Sequence, residues 1–250
     1  MKHLVFGLLI LTSSLAAAAD KPVHLFILSG QSNMAGMNPK LGFEPEAAKL
    51  FPEAEVAYIK VAVGGQPIRL WVTEWDEIAS KHGLDAAKVR ANDKTKGTPY
   101  YQQILDQFAA LLKKHPNPAS VTFCWMQGER DAREGLHPAY ADALQQLVAN
   151  LRRDLKQPNM NVVIGRLSDH GKPTDANWQA VRKAQVDLAK ADSRGAWVDC
   201  DDLNNKEKNG VMTDDLHYTR EGYELLGRRY VRQAKALING QKPAESGRPD

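Results

Sequence analysis

The sequence has 250 residues, of which 43% are hydrophobic and 25% charged, and both values fit one ordinary globular domain. This composition excludes a collagen-like, coiled-coil or wholly disordered chain. The formal net charge is only +3, from 33 Lys and Arg against 30 Asp and Glu with both signs interspersed. So small a surplus argues against a dedicated nucleic-acid-binding protein.

The first nineteen residues have the pattern of an export signal. A basic start leads into an apolar stretch at residues 4–11, and the small residues Ala17 and Ala19 end the segment. These features are typical of a secretory signal peptide with cleavage after residue 19. The apolar stretch is shorter than the roughly 20 residues that span a bilayer. We therefore predict a secreted or periplasmic protein, with no membrane attachment after cleavage and a single domain over residues 20–240.

Short β-rich runs alternate with amphipathic helical patterns along the rest of the chain. The β-rich runs occupy residues 23–29, 56–63, 121–126, 162–167 and 196–200. The helical patterns occupy residues 104–112, 140–155, 178–188 and 223–238. Strands that are apolar throughout and alternate with helices are typical of a parallel sheet covered on both faces. The pattern predicts a three-layer, doubly wound α/β sandwich with a five-stranded parallel sheet.

Two further stretches do not follow this alternation. Residues 66–98 are polar with weak periodicity, so we predict a long functional insertion over the sheet. Residues 241–250 are polar and contain Pro and Gly, and we predict a disordered tail there. Cys124 and Cys200 each lie in a β-rich run. Export permits a disulfide between them, but two buried thiols are favoured because cysteine is a common core residue.

Polar residues gather where the predicted strands end. They lie at residues 29–36 after the first strand, 64–66 after the second and 127–131 after the third, and a further block lies at residues 214–217 before the last helix. Ligand sites of open parallel sheets form beyond the carboxyl ends of the strands. Together these blocks contain a serine, a histidine, carboxylates, amides and glycines, the groups needed for nucleophilic catalysis with an oxyanion hole.

These blocks resemble those of the SGNH-type hydrolases, and within them carbohydrate esterase family six and the sialate O-acetylesterase-like domains. The sequence Gly-Gln-Ser-Asn-Met at residues 30–34 is similar to the nucleophile motif of that group. Gln-Gly-Glu at residues 127–129 is similar to its third block, and residues 214–217 to its Asp-x-x-His block. The resemblance extends over residues 23–230 and implies the flavodoxin-like fold of SGNH hydrolases.

The resemblance also implies a catalytic triad. Ser32 is expected to attack an ester carbonyl, His217 to accept the serine proton, and Asp214 to orient the imidazole, with its neighbour Asp215 as the alternative. A serine hydroxyl is a poor nucleophile until a neighbouring base takes its proton, and that base needs a fixed tautomer. The backbone N–H of Ser32, at a helix start, is expected to be the first oxyanion donor.

Further oxyanion donors and supporting residues follow from the same resemblance. Either Gly64 or Gly65 is expected to supply a second donor, and Gln127 a third. Gln31 stands where many SGNH members carry Asp, and Gln127 where many carry Asn, departures that fit the carbohydrate esterase branch. Glu129 has two open interpretations, a hydrogen-bond acceptor near the histidine or an anchor of its own loop.

Aromatic and basic residues near the insertion are candidate substrate contacts. Trp71 has a face that could stack on a sugar ring, with core packing as the alternative. Arg69 and Arg130 could bind the carboxylate of an acidic sugar, with surface ion pairs as the alternative. The further candidates of both kinds are Trp75, Tyr100, Tyr101 and Arg133. Arg130 stands where relatives often have Ser, which leaves the substrate open.

We therefore predict an exported serine esterase that removes O-acetyl groups from a carbohydrate through an acyl-enzyme, with xylan-like polysaccharide and O-acetylated sialic acid as the leading substrates. No His-Glu-x-x-His, paired Cys-x-x-Cys or Gly-x-Gly-x-x-Gly motif occurs, so neither a metal nor a cofactor is predicted. The alternatives are a non-catalytic carbohydrate-binding protein on the same fold and a lipid esterase or thioesterase. The sequence does not indicate an oligomeric state.

Overall fold

The computed structural model describes residues 21–248 except 92, 171 and 173. The export signal expected at residues 1–19 lies outside the described residues. Five parallel strands form the central sheet. They are β1 (Val23–Gly30), β2 (Glu55–Ala62), β3 (Ser120–Met126), β4 (Asn161–Gly165) and β5 (Gly195–Val198). Their spatial order is β2-β1-β3-β4-β5, so the chain winds first to one side of β1 and then to the other.

Helices cover both faces of this sheet. In the described residues they are α1 (Ser32–Gly36), α2 (Phe43–Leu50), α3 (Trp75–Lys81), α4 (Ala86–Arg90), α5 (Pro99–Lys114), α6 (Glu129–Arg133), α7 (His137–Asp154), α8 (Ala176–Ala191) and α9 (Arg220–Ile238). Helix α2 packs against α9, and α7 packs against α8. Because parallel crossovers are right-handed, these two pairs lie on opposite faces. The predicted three-layer, doubly wound sandwich is confirmed.

The inner strands lie at the centre of the sheet because their residues are apolar throughout. Seven of the eight residues of β1 and all five of β4 are buried, which is the pattern of strands covered on both faces. The outer strand β2 is only partly buried. The periodic faces of α5, α7, α8 and α9 close the two layers, and each of these helices coincides with a helical pattern in the sequence.

The segment over residues 66–98 is part of the core rather than a polar cover. It forms a 3-10 turn at Ile68–Leu70 followed by α3 and α4. Trp71 and Trp75 are fully buried, because this segment turns its few large apolar side chains inward and its many charges outward. The prediction of a loop laid over the sheet is wrong in this respect.

A small antiparallel hairpin precedes the last helix. It consists of β6 (Asn205–Lys208) and β7 (Val211–Asp214). Its two turn residues, Asn209 and Gly210, have φ values of 54° and 76°, and an Asn-Gly pair with both φ values positive is the preferred two-residue hairpin turn. The hairpin leads directly into the segment that carries His217.

The end of the chain packs back onto the fold. The carbonyl of Ser246 accepts a hydrogen bond of 2.8 Å from the N–H of Asp199, just beyond β5. The amide of Gln233 in α9 donates to the carbonyl of Ala244 at 2.8 Å. These contacts contradict the prediction of a disordered tail for residues 241–248, while residues 249 and 250 lie outside the described part.

Both cysteines are free, buried thiols. Burial raises the pKa of Cys200 to about 12, so that thiol stays protonated at neutral pH.

In the described part of the chain, none of the helices has an apolar stretch of the length that a bilayer crossing requires. The described His, Cys, Asp and Glu side chains also form no group of three or more that could hold a metal ion.

Candidate active site

Ser32 lies at a sharp turn between β1 and α1. Gly30 has a φ of +147°, and a Cβ at this position would lie 1.9 Å from the carbonyl oxygen of Met126 at the end of β3. Only glycine permits this close approach. The N–H of Gln31 donates to the same oxygen at 2.8 Å. The turn is therefore fixed against β3, and it presents Ser32 partly exposed as the first residue of α1.

The short helix α1 is held at its other end by Lys60 of β2. The ammonium group of Lys60 donates to the carbonyl oxygens of Ala35 and Met37, at 2.9 Å and 2.5 Å. A five-residue helix leaves its last carbonyls without partners inside the helix, and a cation there also complements the helix dipole. Burial lowers the pKa of Lys60. This contact holds the element that carries Ser32.

The glycine pair after β2 lies on the other side of Ser32. A Cβ at Gly64 would come within 3.7 Å of the Cβ of Ser32, whereas no atom lies within 4 Å of a Cβ at Gly65. Gly65 instead has a φ of +67° and forms the turn. Of the two glycines that the sequence leaves open, Gly64 is the one beside the serine.

Asn33 connects the serine helix to two distant parts of the chain. Its amide Nδ2 donates to Oε1 of Glu129 at 2.9 Å and to the carbonyl of Leu216 at 3.0 Å. Its Oδ1 accepts from the hydroxyl of Tyr223 at 3.2 Å. Leu216 directly precedes His217, so Asn33 ties the serine turn to the segment that carries the histidine. Sequence reasoning gave Asn33 no role, although its place beside Ser32 in the motif was the available signal.

Glu129 is the buried partner of Asn33. Burial raises the pKa of Glu129 to about 7, and its second oxygen, Oε2, is buried without a hydrogen-bond partner. Among the described residues no hydrogen bond links Glu129 to His217. The contact that the structure shows is with Asn33, which in turn donates to the carbonyl of Leu216 next to His217.

Gln127 lies at the junction of three loops. Its Nε2 is within hydrogen-bond distance of Gln31 Oε1 and the Gln66 carbonyl, both at 3.2 Å, and of Asp131 Oδ2 at 2.5 Å. The side chain is fully buried, and its two amide hydrogens have protein acceptors on all these sides. In this structure Gln127 is a cross-link between loops rather than the free oxyanion donor that the resemblance implies.

Asp131 and Gln31 complete this cross-link. Oδ2 of Asp131 also accepts from the N–H of Ile68 at 3.0 Å, and burial raises the pKa of Asp131 to about 6. Oε1 of Gln31 accepts from the N–H of Arg130 at 3.2 Å. Gln31 therefore supports the site by joining the nucleophile turn to α6. Sequence reasoning missed Asp131, whose only signal was its position in the polar block after β3.

The acidic pair before His217 consists of one hydrogen-bonded carboxylate and one exposed carboxylate. Asp215 accepts from the N–H of His217 at 3.3 Å and pairs with Lys206 at 2.9 Å, and the Lys206 hydrogen bond lowers the pKa of Asp215. Asp214 is exposed at the end of β7. Among the described residues no hydrogen bond joins the side chains of Ser32, His217 and Asp214. Asn33 links the segments that carry Ser32 and His217, and catalytic hydrogen bonds are often long or unformed in ligand-free sites.

Two predicted substrate contacts are wrong. Trp71 is fully buried and donates from Nε1 to Ser29 Oγ at 3.0 Å. Arg69 is 2% exposed and pairs with Asp93 and Glu134 at 2.5 Å and 2.8 Å. Both side chains are enclosed in the protein, because the segment that carries them folds into the core. The other aromatic candidates are also buried, namely Trp75, Tyr100 and Tyr101.

Arg130 remains a candidate contact. Its side chain is 47% exposed at the start of α6, and its guanidinium pairs with Glu134 at 2.5 Å. Arg133 is also exposed. Of these two exposed arginines, Arg130 already has a close acidic partner, Glu134.

Solved structures share this architecture. A protein from Arabidopsis thaliana is similar with a TM-score of 0.59 and 20% identity, over 87% of this chain and 98% of that one. NanS has a TM-score of 0.58 and 15% identity over 88% and 97%. A carbohydrate acetylesterase from Xanthomonas citri has a TM-score of 0.58 and 15% identity over 88% and 57%.

The chain belongs to the family described as carbohydrate esterase, sialic acid-specific acetylesterase, whose model matches residues 35–236. This range begins just after Ser32 and contains Asp214 and His217. Among curated relatives, a probable 9-O-acetyl-N-acetylneuraminic acid deacetylase of Escherichia coli (strain K12) is 33% identical over 81 residues, 32% of this chain. A probable carbohydrate esterase of Arabidopsis thaliana is 26% identical over 214 residues, 84% of this chain. The alignments cover 22% and 66% of these relatives' own lengths.

Proposed function

We propose that this protein is an exported serine esterase that removes O-acetyl groups from a carbohydrate through an acyl-enzyme on Ser32. One observation carries the proposal. Ser32 starts a helix at the carboxyl end of β1, with Gly64 beside it and with the segment before His217 tied to the adjacent Asn33. The chain's membership of a carbohydrate acetylesterase family supports the same chemistry.

The proposed reaction has two steps. Ser32 Oγ attacks the acetyl carbonyl while its proton passes to His217, which Asp214 orients and stabilises once it is charged. The same proton then goes to the departing sugar oxygen as the acyl bond to the sugar breaks. In the second step a water gives a proton to His217 and attacks the acetyl-serine, and acetate leaves as Ser32 regains its hydrogen.

The negative oxygen that develops in each step needs hydrogen-bond donors. The backbone N–H of Ser32 lies at a helix start, where such groups have no partners inside the helix. Gly64 lies beside Ser32 and is the residue best placed to add a second hydrogen-bond donor. An oxyanion donor typically contributes about 2.7 to 4 kcal/mol of transition-state stabilisation. In this proposal Gln127 acts by holding the loops around the hole together.

The substrate class follows from the family. Its description and the deacetylase relative favour O-acetylated sialic acid over acetylated xylan. Secretion or a periplasmic location is part of the proposal and rests on the signal pattern of residues 1–19. Acetylated sugars outside the cytoplasm would be accessible to such an enzyme.

The proposal is tested by acetate release from three compounds, O-acetylated sialic acid, acetylated xylan and a chromogenic acetyl ester. Ser32→Ala is expected to lose at least about a thousandfold in kcat with its fold retained, and Asp214→Asn a similar amount through the wrong histidine tautomer. Asp215→Asn is the matched control and should change kcat by less than about tenfold, because Asp215 is engaged with Lys206.

Two outcomes would contradict this account. Full activity of Ser32→Ala would exclude the acyl-enzyme at that residue. A larger loss in Asp215→Asn than in Asp214→Asn would transfer the orienting role to Asp215. A second function, sugar binding without catalysis, is favoured by the absence of side-chain hydrogen bonds among the described Ser32, His217 and Asp214. Sugar binding with no acetate release from any of the three compounds would establish it.

A further inference from the structure

A groove continues the seam between the two segments that carry Ser32 and His217. One wall comes from α1 and the loop after it, and the other from the start of α9. The groove has a volume of about 260 Å³ and is lined by Gly36, Asn38, Leu41, Arg220, Tyr223 and Glu224. We call it the α1–α9 groove. Its volume is just below the range of pockets for drug-sized ligands, which suits a single sugar unit rather than a length of polymer.

The floor of the α1–α9 groove is an aromatic ring joined to the site. A Cβ at Gly36 would lie 2.5 Å from Cζ of Tyr223, so the absence of a side chain lets the tyrosine ring lie directly on α1. The hydroxyl of Tyr223 donates to Oδ1 of Asn33, beside Ser32. The ring is partly exposed. It therefore offers an apolar surface of the kind that packs against the C–H face of a sugar.

Arg220 supplies a cation at the rim of the groove. Its side chain is 74% exposed, and its Nε lies 3.4 Å from Oε1 of Glu224 one turn later. This pair is looser than that of Arg130 with Glu134 at 2.5 Å. Arg220 is also the first residue of α9, where the helix dipole disfavours a cation and favours an anion. The side chain of Thr219 already caps this helix by accepting from the N–H of Gly222 at 2.8 Å, so a bound carboxylate would act chiefly on the guanidinium.

We propose that the α1–α9 groove binds the ring of a monosaccharide that bears a carboxylate, with Arg220 pairing with the carboxylate and Tyr223 packing against the ring. The orientation of the sugar ester toward Ser32 rests on the proposed function, whereas the binding of the acidic sugar does not. A guanidinium binds a carboxylate through two parallel N–H donors. The groove thus selects an acidic over a neutral sugar.

The test measures affinity for a matched pair of ligands, N-acetylneuraminic acid and its methyl ester, which differ in the negative charge. Calorimetric or NMR titration of the Ser32→Ala protein should show the acid bound about tenfold more tightly than the ester, as one charge-assisted contact implies. Arg220→Gln in the same background should abolish this preference. Arg228→Gln is the matched control, because Arg228 lies on the same helix near the same Glu224, and it should retain the preference.

Arg130→Gln separates the two candidate cations, and on this proposal it also retains the preference. The proposal is overturned if the parent protein binds acid and ester equally or binds neither. It is also overturned if Arg220→Gln keeps the preference, or if Arg130→Gln alone loses it. Neither ligand carries an O-acetyl group. Failure of acetate release in the esterase test therefore leaves this measurement and its interpretation intact.

Discussion

Two buried carboxyl groups lie beneath the nucleophile turn. Glu129 and Asp131 are both enclosed in the protein, and burial raises their pKa values to about 7 and about 6. Each has one oxygen with no hydrogen-bond partner in the described structure, Oε2 of Glu129 and Oδ1 of Asp131. Ionising a carboxyl group in such surroundings is costly. The loops around Ser32 therefore become less stable as these groups lose their protons.

Glu129→Gln tests this dependence of stability on carboxyl ionisation at a single residue. The pKa of Glu129 is raised from its ordinary 4.5 to about 7, so between these pH values the folded state holds a proton that the unfolded chain has released. Stability should fall as pH rises through this window, by about 3 kcal/mol. Glutamine keeps the oxygen that Asn33 needs and cannot ionise, so it should remove that loss. Urea unfolding at about pH 4.5 and about pH 8 measures the difference.

The control for this prediction is Glu207→Gln, because Glu207 is exposed on the β6–β7 hairpin. It should leave the pH dependence of the wild-type protein in place. Equal pH slopes for the wild-type and Glu129→Gln proteins would mean that Glu129 ionises in the folded state as readily as in water.

Residue types at the strand ends could be predicted from the sequence, but their partners could not. A serine, a histidine and carboxylates at the ends of apolar strands indicate a site, because those ends meet at one edge of the sheet. The polar average of their segment makes Trp71 and Arg69 candidate substrate contacts, with core packing and an ion pair as the respective alternatives. Their burial depends on contacts with Ser29, Asp93 and Glu134, which are distant in sequence. Two acceptors of the Gln127 amide, Gln31 and Gln66, are likewise distant from it in sequence.

Among the elements, the turn after β2 gives a paired prediction. Gly64→Ala should fold normally, because its backbone needs no left-handed conformation and its methyl group would meet only Ser32, at 3.7 Å. The methyl group would occupy the space beside the serine that the reacting ester needs, so kcat should fall by about tenfold or more. Gly65→Ala has open space but a φ of +67°, so it should lose about 1 to 2 kcal/mol of stability.

Thermal unfolding and acetyl ester hydrolysis of the two variants check this prediction. The expected result is an activity loss in Gly64→Ala and a stability loss in Gly65→Ala. The reverse pattern would show that Gly65, rather than Gly64, borders the reacting serine.

Helices and strands could be predicted from the sequence where their hydrophobic pattern was long. The inner strands were predictable because a buried strand is apolar along its whole length. The hairpin β6–β7 was missed because its strands are only four residues long and mostly exposed. Its Asn209-Gly210 pair was the usable signal, since few dipeptides favour a hairpin turn so strongly. Helix α2 was missed because eight residues give little periodicity to detect.

At the scale of the whole molecule, the returning tail covers the end of an edge strand. β5 lies at the border of the sheet, and unpaired edges are prone to association with other chains. Besides the contacts of Ser246 and Ala244, Arg248 pairs with Asp202 at 2.7 Å. A Cβ at Gly247 would come within 3.5 Å of Gln233 and 3.6 Å of Val198, so this glycine lies close to both. Residues 241–248 therefore act as a strap across this border.

Truncation after residue 240 should lower the free energy of unfolding by about 2 to 4 kcal/mol, since it removes several hydrogen bonds of about 1 kcal/mol each. It should also increase aggregation on heating. Glu245→Ala is the control, because Glu245 and its partner Lys190 are both exposed and such pairs contribute about 1 kcal/mol or less. A truncated chain with unchanged stability would show that the strap is not part of the folded unit.

The central claim is that Ser32 carries the acetyl group during turnover. Rapid acid quenching of the reaction with a chromogenic acetyl ester, followed by mass spectrometry of the peptides, tests it most directly. We expect one acetyl group on the peptide that contains Ser32, and none on that peptide in the Ser32→Ala protein. Acetate release without acetylation of Ser32, or with the acetyl group on another residue, would contradict it.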